Sequence, residues 1–421
     1  MNRTLYSIVL YLITPLLLVY LAMRAFKSKD YRGRWNERFG FKSLKQTDLL
    51  VHSVSMGETL AAIPLIKQIQ QQYPKLSITI TTTSPTGSAE VVRAFGTSVQ
   101  HCYLPFDLMW CALRFVKQLT PKYCIIMETE LWPNLIHYLK QADAKVLLAN
   151  ARLSQKSADS YRKHQKLTAP MLKQLDGIAA QSLQAAERFI ALGVASERVT
   201  VCGSLKFDIS IDQQRIETAK ALRAQWQATD KPVWVAGSVH PGEFDLLIQA
   251  HQQLLVSYPD ALMVMVPRHP EQFDAAAQAI KSAGLSLARR SKSDAVSGDT
   301  QVVLGDTMGE LLTFYGAADQ AFVGGSLIVH GGHNPLEPAA MGLPVMMGPN
   351  YRDFIEITGL LESAGGLQVV DSAQALAQNL IRLFDDKLAY RQASEAAKAV
   401  VEQNRGSLVK QLAVVASFIK S

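Results

Sequence analysis

Residues 52–58 read HSVSMGE and residues 236–243 read AGSVHPGE. Each stretch closes an apolar run, DLLV in one case and KPVWV in the other, and each opens a helix-forming segment. Strand, turn with Ser, Gly and Glu, then helix is the pattern of a parallel sheet, in which ligands bind at the carboxyl ends of the strands. Its recurrence, once in each half of the chain, predicts two α/β domains whose loops face a cleft.

The segments around the first motif repeat the pattern. DLLVHSV (48–54) reads as a buried strand and is followed by the helix TLAAIPLIKQIQQQYP. SITITTTSPTG (77–87) is a strand and turn, with a helix expected from Ser88 to Phe95. KYCIIMETELWPNLIHYLK (122–140) is a strand feeding a helix. AKVLLANAR (144–152), GIAAQS (177–182) and VTVCGSLKFD (199–208) read as further strands of the sheet. Residues 211–230 are polar and helical, a natural link. The pattern then restarts with strands in 231–243, 261–273, 301–306, 320–327, 343–350 and 367–372.

With 421 residues, 48% of them hydrophobic and 19% charged, the chain has enough apolar surface for two cores. Its four cysteines, Cys102, Cys111, Cys124 and Cys202, form no close pair of the zinc or redox type and are expected as buried thiols. A formal net charge of +7 favours anionic partners. Neither half contains GxGxxG or a Walker phosphate loop, which argues against a dehydrogenase or an ATPase.

Leu5 to Met23, LYSIVLYLITPLLLVYLAM, carries no charge. As a helix it would be about 28 Å long, enough to cross a membrane. Arg24, Lys27, Lys29, Arg32, Arg34 and Arg38 follow it, whereas only Arg3 precedes it. This bias is opposite to that of a cleaved signal peptide and keeps the following domains on the cytoplasmic side. The alternatives are a helix lying in the inner leaflet or in a hydrophobic cleft of a partner. Tyr31, Trp35 and Phe39 suit the headgroup region.

The densest chemical signal is GGSLIVHGGHNPLEPAAMGLPVMMGPN (324–350). Gly324, Gly325, Gly331 and Gly332 permit close backbone approach to a ligand. A helix expected near Asn334–Pro335 would offer free amides to phosphate. Glu337, in its first turn, could accept from sugar hydroxyls. Arg268 and His269 in VPRHP (266–270), with Ser238 and His240, sit at strand ends where an anionic donor would bind. Glu58 at a helix start is a candidate general base, or simply a charge placed on the helix dipole. Glu128 and Glu130 end the strand in METELWPN; as i and i+2 of an extended segment they would point the same way and push each other's pKa apart. Ser84 and Thr86 form a polar loop that could meet the acceptor.

At these residues the chain resembles the bacterial transferases of glycosyltransferase family 30, which add 3-deoxy-D-manno-octulosonic acid (Kdo) to the lipid A precursor. The stretches that carry the resemblance are RGRWNERFG (32–40), HSVSMGE, TTTSPTG (81–87), METELWPN (127–134), AGSVHPGE, VPRHP and GGHNPLEP (331–338). Together they cover nearly the whole chain.

The resemblance implies an inverting glycosyltransferase of the GT-B type, with two Rossmann-like domains facing a cleft and an N-terminal membrane helix. It implies an anchor at 1–25, an acceptor-binding domain at 26–210 and a CMP-Kdo-binding domain at 211–421. Transferases of this type often return their last helix to the first domain, so about 400–421 is not assigned wholly to the second. The implied donor is CMP-Kdo and the acceptor tetra-acylated lipid A disaccharide (lipid IVA), at the cytoplasmic face of the inner membrane, with no bound metal. Two successive transfers is the favoured count.

By motif match, Glu58 takes the place of the base and Glu128 that of an essential acid. Ser238, His240, Arg268, His269, Gly325, Ser326, Asn334 and Glu337 fall on the donor side. Arg32, Arg34, Arg38, Ser55, Ser84, Thr86 and Glu130 fall on the acceptor side, the arginines meeting lipid headgroups and phosphates. Inner-membrane lipids are expected partners, and neither nucleic acid nor an obligate protein partner is. The competing readings are a UDP-sugar transferase of the same architecture and a non-catalytic module binding anionic lipid.

Overall fold

The computed structural model describes residues 1–209 and 211–420. The chain divides into two compact units, Met1–Asp208 with Arg405–Ser421, and Ile209–Asn404. The expected boundary after residue 210 falls on a residue outside those described, as does residue 421 at the end of the last expected helix.

The first unit holds a seven-stranded parallel sheet. Its strands are β1 (Leu49–His52), β2 (Ile78–Thr82), β3 (Gln100–Tyr103), β4 (Tyr123–Met127), β5 (Lys145–Ala151), β6 (Gly177–Ala180) and β7 (Val199–Val201). Their order is β3-β2-β1-β4-β5-β6-β7. Alternate residues serve opposite faces, as the strand period requires. Leu50, Cys124, Ile126, Val146 and Leu148 enter one core, and Leu49, Val51, Ile125, Met127, Leu147 and Ala149 the other. Burial on both faces is why these strands read as continuous apolar runs.

The second unit repeats the plan with β8 (Val233–Val239), β9 (Leu262–Pro267), β10 (Leu287–Arg289), β11 (Val302–Leu304), β12 (Gln320–Val323), β13 (Val345–Met347) and β14 (Leu367–Val369). The order is β10-β11-β9-β8-β12-β13-β14, again all parallel. In each sheet the order reverses beside its first strand, between β1 and β4 and between β8 and β12, and the crevice at such a switch is where doubly wound folds bind ligands. The helix Lys387–Asn404 belongs to the second unit, whereas Ser407–Lys420 packs in the first. There Val415 and Phe418 join the core, and Gln411 Oε1 accepts the Asn150 N–H at 2.9 Å.

Two short strands were not anticipated from sequence: β3, QHCY, and β10, LAR. Both are edge strands only partly buried, so neither builds an apolar run. The helix expected from Ser88 instead starts at Pro85, because Ser84 caps it by accepting the Gly87 N–H at 3.1 Å.

The N-terminal helix, Arg3–Lys27, runs through Pro15, and Arg3–Phe26 is long and apolar enough to cross a membrane. Its first turns are nonetheless bonded to the globular part of the unit. Tyr6 donates to Asp107 at 3.1 Å, Arg3 donates to Asn134 Oδ1 at 3.2 Å, and Ser7 accepts from Asn134 Nδ2 at 3.0 Å. At the other end Arg24 donates to the Tyr31 hydroxyl at 2.7 Å, and Arg32 donates to the Ala25 carbonyl at 2.9 Å. The chain then enters the short helix Trp35–Arg38, where Arg38 bonds the Thr83 carbonyl at 2.9 Å. The first turns are thus held by the globular part of the unit, and the carboxyl end by the segment that follows it. Leu5, Ile8, Leu12, Leu16, Val19, Met23 and Phe26 are exposed, and so are Val9, Tyr11, Ile13, Leu18 and Tyr20, so apolar surface extends around most of the helix.

Candidate active site

In the first unit the candidate residues gather at the switch between β1 and β4. Ser55 caps the helix Met56–Gln72, and Glu58 lies in its first turn. Glu58 Oε2 accepts the Val54 N–H at 2.8 Å, and Oε1 accepts from the Ser55 hydroxyl at 2.9 Å. Ser55 Oγ in turn accepts the Glu58 N–H at 3.3 Å, a variant of the capping box in which the carboxylate reaches the amide before the N-cap residue, so the helix-start reading of Glu58 is satisfied. The carboxylate is fixed in direction and buried, with free lone pairs remaining. Burial pushes its pKa up and the charge of Glu128 adds to this, against the donors at Val54 and Ser55. A raised carboxyl is a better proton acceptor at neutral pH.

Glu128 and Glu130 do not sit as expected. β4 ends at Met127, and Glu128 adopts φ 54°, so the two carboxylates are not at alternate positions of a strand. Glu128, also buried, meets Lys206 Nζ at 3.1 Å and Arg152 at 3.6 Å. Glu130 lies in the following turn. Its carboxyl is pushed up to about 7 by burial, then by the charges of Glu58 and Glu128. The structure thus brings the three acids into one electrostatic cluster, by a turn where a strand was expected.

The acceptor-side candidates divide. Ser84 is committed to capping, and Thr86 is exposed beside it. Gly87 lets that helix start close on the Glu58 loop: a Cβ there would stand 3.2 Å from Thr59 Oγ1 and 3.3 Å from the Ser55 carbonyl carbon. Arg32 is exposed, as expected of a headgroup contact. Arg34 and Arg38 instead stack on the Tyr103 ring at 4.1 and 4.2 Å. Arg38 is only 7% exposed, so the expectation that it meets headgroups is corrected: it bonds the Thr83 carbonyl, and Arg34 donates to the Ser88 hydroxyl at 2.7 Å. Glu37, overlooked in the sequence reading, is buried and accepts from Arg34, Lys42 and the Tyr103 N–H at 2.8 Å.

The second unit assembles its candidates at the switch between β8 and β12. Ser238 has φ 56° where the β8–β9 register shifts, a bulge that redirects the chain into the turn. His240, 5% exposed, lies 2.8 Å from His333, Nε2 to Nε2, with His330 and His269 nearby. Burial lowers its pKa to about 4, helped by His330, His269 and Arg268. Arg268 leaves β9 with its N–H on the Val239 carbonyl at 2.9 Å. His269 is lowered by burial and by Arg268. Glu337 is raised to about 7 by burial, against the pull of Arg268, Asn334 and Arg215.

Two expectations for the 324–337 loop change. The helix there, Leu336–Ala340, has five residues, and Asn334 Oδ1 already takes the Leu336 N–H at 3.1 Å. The Gly325 and Ser326 amides are held by Glu243, which the sequence reading passed over. Glu243 accepts from His240 N at 3.0 Å, Gly325 N at 2.8 Å, and Ser326 N and Leu327 N at 3.0 Å each. The signal was present in the final Glu of AGSVHPGE, the counterpart of Glu58.

Residues 33–209 match the family model of 3-deoxy-D-manno-octulosonic-acid transferases (kdotransferase). A 3-deoxy-D-manno-octulosonic acid transferase from Haemophilus influenzae is 41% identical over 425 residues, covering 100% of this chain and 99% of the relative. The chain belongs to the Kdo transferase family. A second member, from Bordetella pertussis, is 32% identical over 430 residues and 98% of each chain. Among solved structures, a UDP-GlcNAc 2-epimerase from Neisseria meningitidis superposes with TM-score 0.57 at 14% identity, covering 86% of this chain and 100% of that one. A glycosyltransferase from Rickettsia africae gives 0.56 at 15%, covering 90% and 100%. At that identity the likeness speaks for the fold alone, which is GT-B. Like the rest of the Kdo transferase family, the protein is a glycosyltransferase; HSVSMGE, METELWPN, AGSVHPGE and GGHNPLEP follow the strands at the two sheet switches.

Proposed function

We propose that this enzyme transfers Kdo from CMP-Kdo to lipid IVA in lipopolysaccharide biosynthesis, with inversion at the anomeric carbon. The observation that carries the reading is the end-to-end relationship to Kdo transferases, with Glu58 and Glu128 beside the β1–β4 switch and His240 and Asn334 beside the β8–β12 switch. An acceptor hydroxyl attacks the anomeric carbon of Kdo, and its proton passes to Glu58. The new glycosidic bond forms as the bond from that carbon to the CMP phosphate oxygen breaks, and CMP leaves with the electron pair. Arg268 offers a fixed positive fork to the phosphate as its charge grows. Glu128, held by Lys206 and Arg152, keeps Glu58 raised and orients the acceptor sugar. Charge neutralisation falls to side chains, so the transfer proceeds without a catalytic metal.

The apolar N-terminal helix supports a location at the cytoplasmic face of the inner membrane, with its exposed apolar surface in the acyl region. The exposed Arg32 and neighbouring basic residues meet anionic headgroups.

The test is transfer from CMP-Kdo to lipid IVA by purified protein, with UDP-sugars as control donors. Product with CMP-Kdo alone, its mass counting the sugars, is the expected result, with two the expected number. No product from folded protein would overturn the assignment. A chelator should leave the rate unchanged.

A further inference from the structure

We propose that His240, His330 and His333 form a site for one divalent transition-metal ion of the zinc, cobalt or nickel class. One nitrogen of each ring lies within 4.8 Å of the other two. The His240 and His333 Nε2 atoms are 2.8 Å apart, which without an ion requires a single proton shared between two lone pairs aimed at one point. The His330 ring lies 4.1 Å from that of His240 and 5.7 Å from that of His333, closing the third side. A tetrahedral ion at about 2.0–2.1 Å from each nitrogen sets ligand atoms about 3.3 Å apart, so the His240–His333 pair opens by only about half an ångström.

The fold holds the segments of His240 and His333 independently of any ion. His240 sits in the turn after β8, and His330 and His333 in the loop after β12, neighbours across the sheet switch. Glu243 clamps both segments through the amides of His240 and of residues 325–327. Gly325, at φ 68°, brings backbone against the His333 ring: a Cβ there would stand 3.0 Å from Cδ2.

The donor set selects the ion. Three imidazoles suit zinc, cobalt and nickel, whereas magnesium and calcium want oxygen ligands, and no carboxylate is in the set. His330 is exposed, giving an entry path and leaving the fourth position to solvent. The ion has no step in the transfer proposed above, and the site stands or falls on binding alone.

The experiment titrates Co2+ into untagged, metal-stripped full-length protein, following the visible d–d bands, with Zn2+ and Mg2+ as competitors. One Co2+ per chain is expected, displaced by Zn2+ but not by Mg2+, without the near-ultraviolet thiolate band that a cysteine site would add. His330→Ala and His330→Gln, at an exposed position, should keep the metal-free Tm and lose about ten-fold or more in affinity. Absence of saturable uptake, a thiolate band, or unchanged affinity in both variants would overturn the proposal.

Discussion

Glu243 reaches back to the His240 amide at 3.0 Å much as Glu58 reaches back to the Val54 amide at 2.8 Å, but Glu243 alone goes on to bind three amides of a neighbouring loop. The two acids end matching motifs, and their surroundings give them different work. Glu58 accepts two hydrogen bonds and keeps lone pairs over, whereas Glu243, fully buried, is used up as the clamp between the β8 and β12 loops. Glu243→Ala should therefore cost at least about 3 kcal/mol, because each buried amide left unpaired costs about 1–3 kcal/mol. Glu243→Gln should cost less, since one oxygen still accepts. Urea unfolding checks the stability, and in any folded variant KM for CMP-Kdo should rise more than kcat falls. Wild-type stability in both variants would show that the clamp is not needed.

In the proposed reaction Glu58 must be ionised to take the acceptor proton, so activity should fall as pH drops through its pKa. Burial and Glu128 raise that pKa, which sets the acidic limb of the kcat/KM profile above the ordinary range for glutamate. Glu58→Gln should retain the fold and lose roughly 100- to 10,000-fold in kcat. Glu128→Gln removes the like charge while Lys206 and Arg152 remain, so the limb of its residual activity should move to lower pH. A limb that stays in place would assign it to another group.

What was legible in the sequence followed from burial. Strands covered on both faces, such as β4 and β9, leave unmistakable apolar runs, and the turns after them carry the site. The edge strands β3 and β10 left no such run. Glu128 was visible as an acid at a strand end, but its left-handed backbone, which turns it toward Lys206 and Arg152, has no signature in METELWPN. Arg38 looked like one more juxtamembrane charge because sequence shows charge and not the Tyr103 ring beneath it. Glu243 and the pair His330 and His333 owe their roles to contacts across β8 and β12, a pairing that only the fold creates.

Glu130 provides a stability test with a definite sign. Its native pKa of about 7 lies above the ordinary 4.5, so between these values the native state binds more protons than the unfolded state. Its contribution is therefore lost as pH rises through that window, and above it the native state carries the cost of a third buried charge beside Glu58 and Glu128. Glu130→Gln should gain on the order of 1–3 kcal/mol relative to wild type at pH 8 and nothing at pH 4. Denaturant unfolding at the two pH values measures the difference. An equal effect at both would mean that Glu130 acts through packing or hydrogen bonding.

The N-terminal helix makes a prediction on which its two possible placements disagree. A spanning helix of 25 residues would carry Met1 about 37 Å from its carboxyl end, to the far side of the bilayer. The bonds from Arg3, Tyr6 and Ser7 to Asn134 and Asp107 instead hold the first turns against the globular unit. An epitope placed before Met1 should therefore stay protected when protease is added outside intact spheroplasts, and become cleavable once the membrane is opened. Asp107→Ala and Asn134→Ala should loosen the amino-terminal half of the helix, seen as faster amide exchange there, without releasing the protein from membranes, because the exposed apolar surface between Leu5 and Phe26 still binds lipid. Cleavage of the epitope from outside intact spheroplasts would establish the spanning placement and break the contacts to Asn134 and Asp107 in the native membrane.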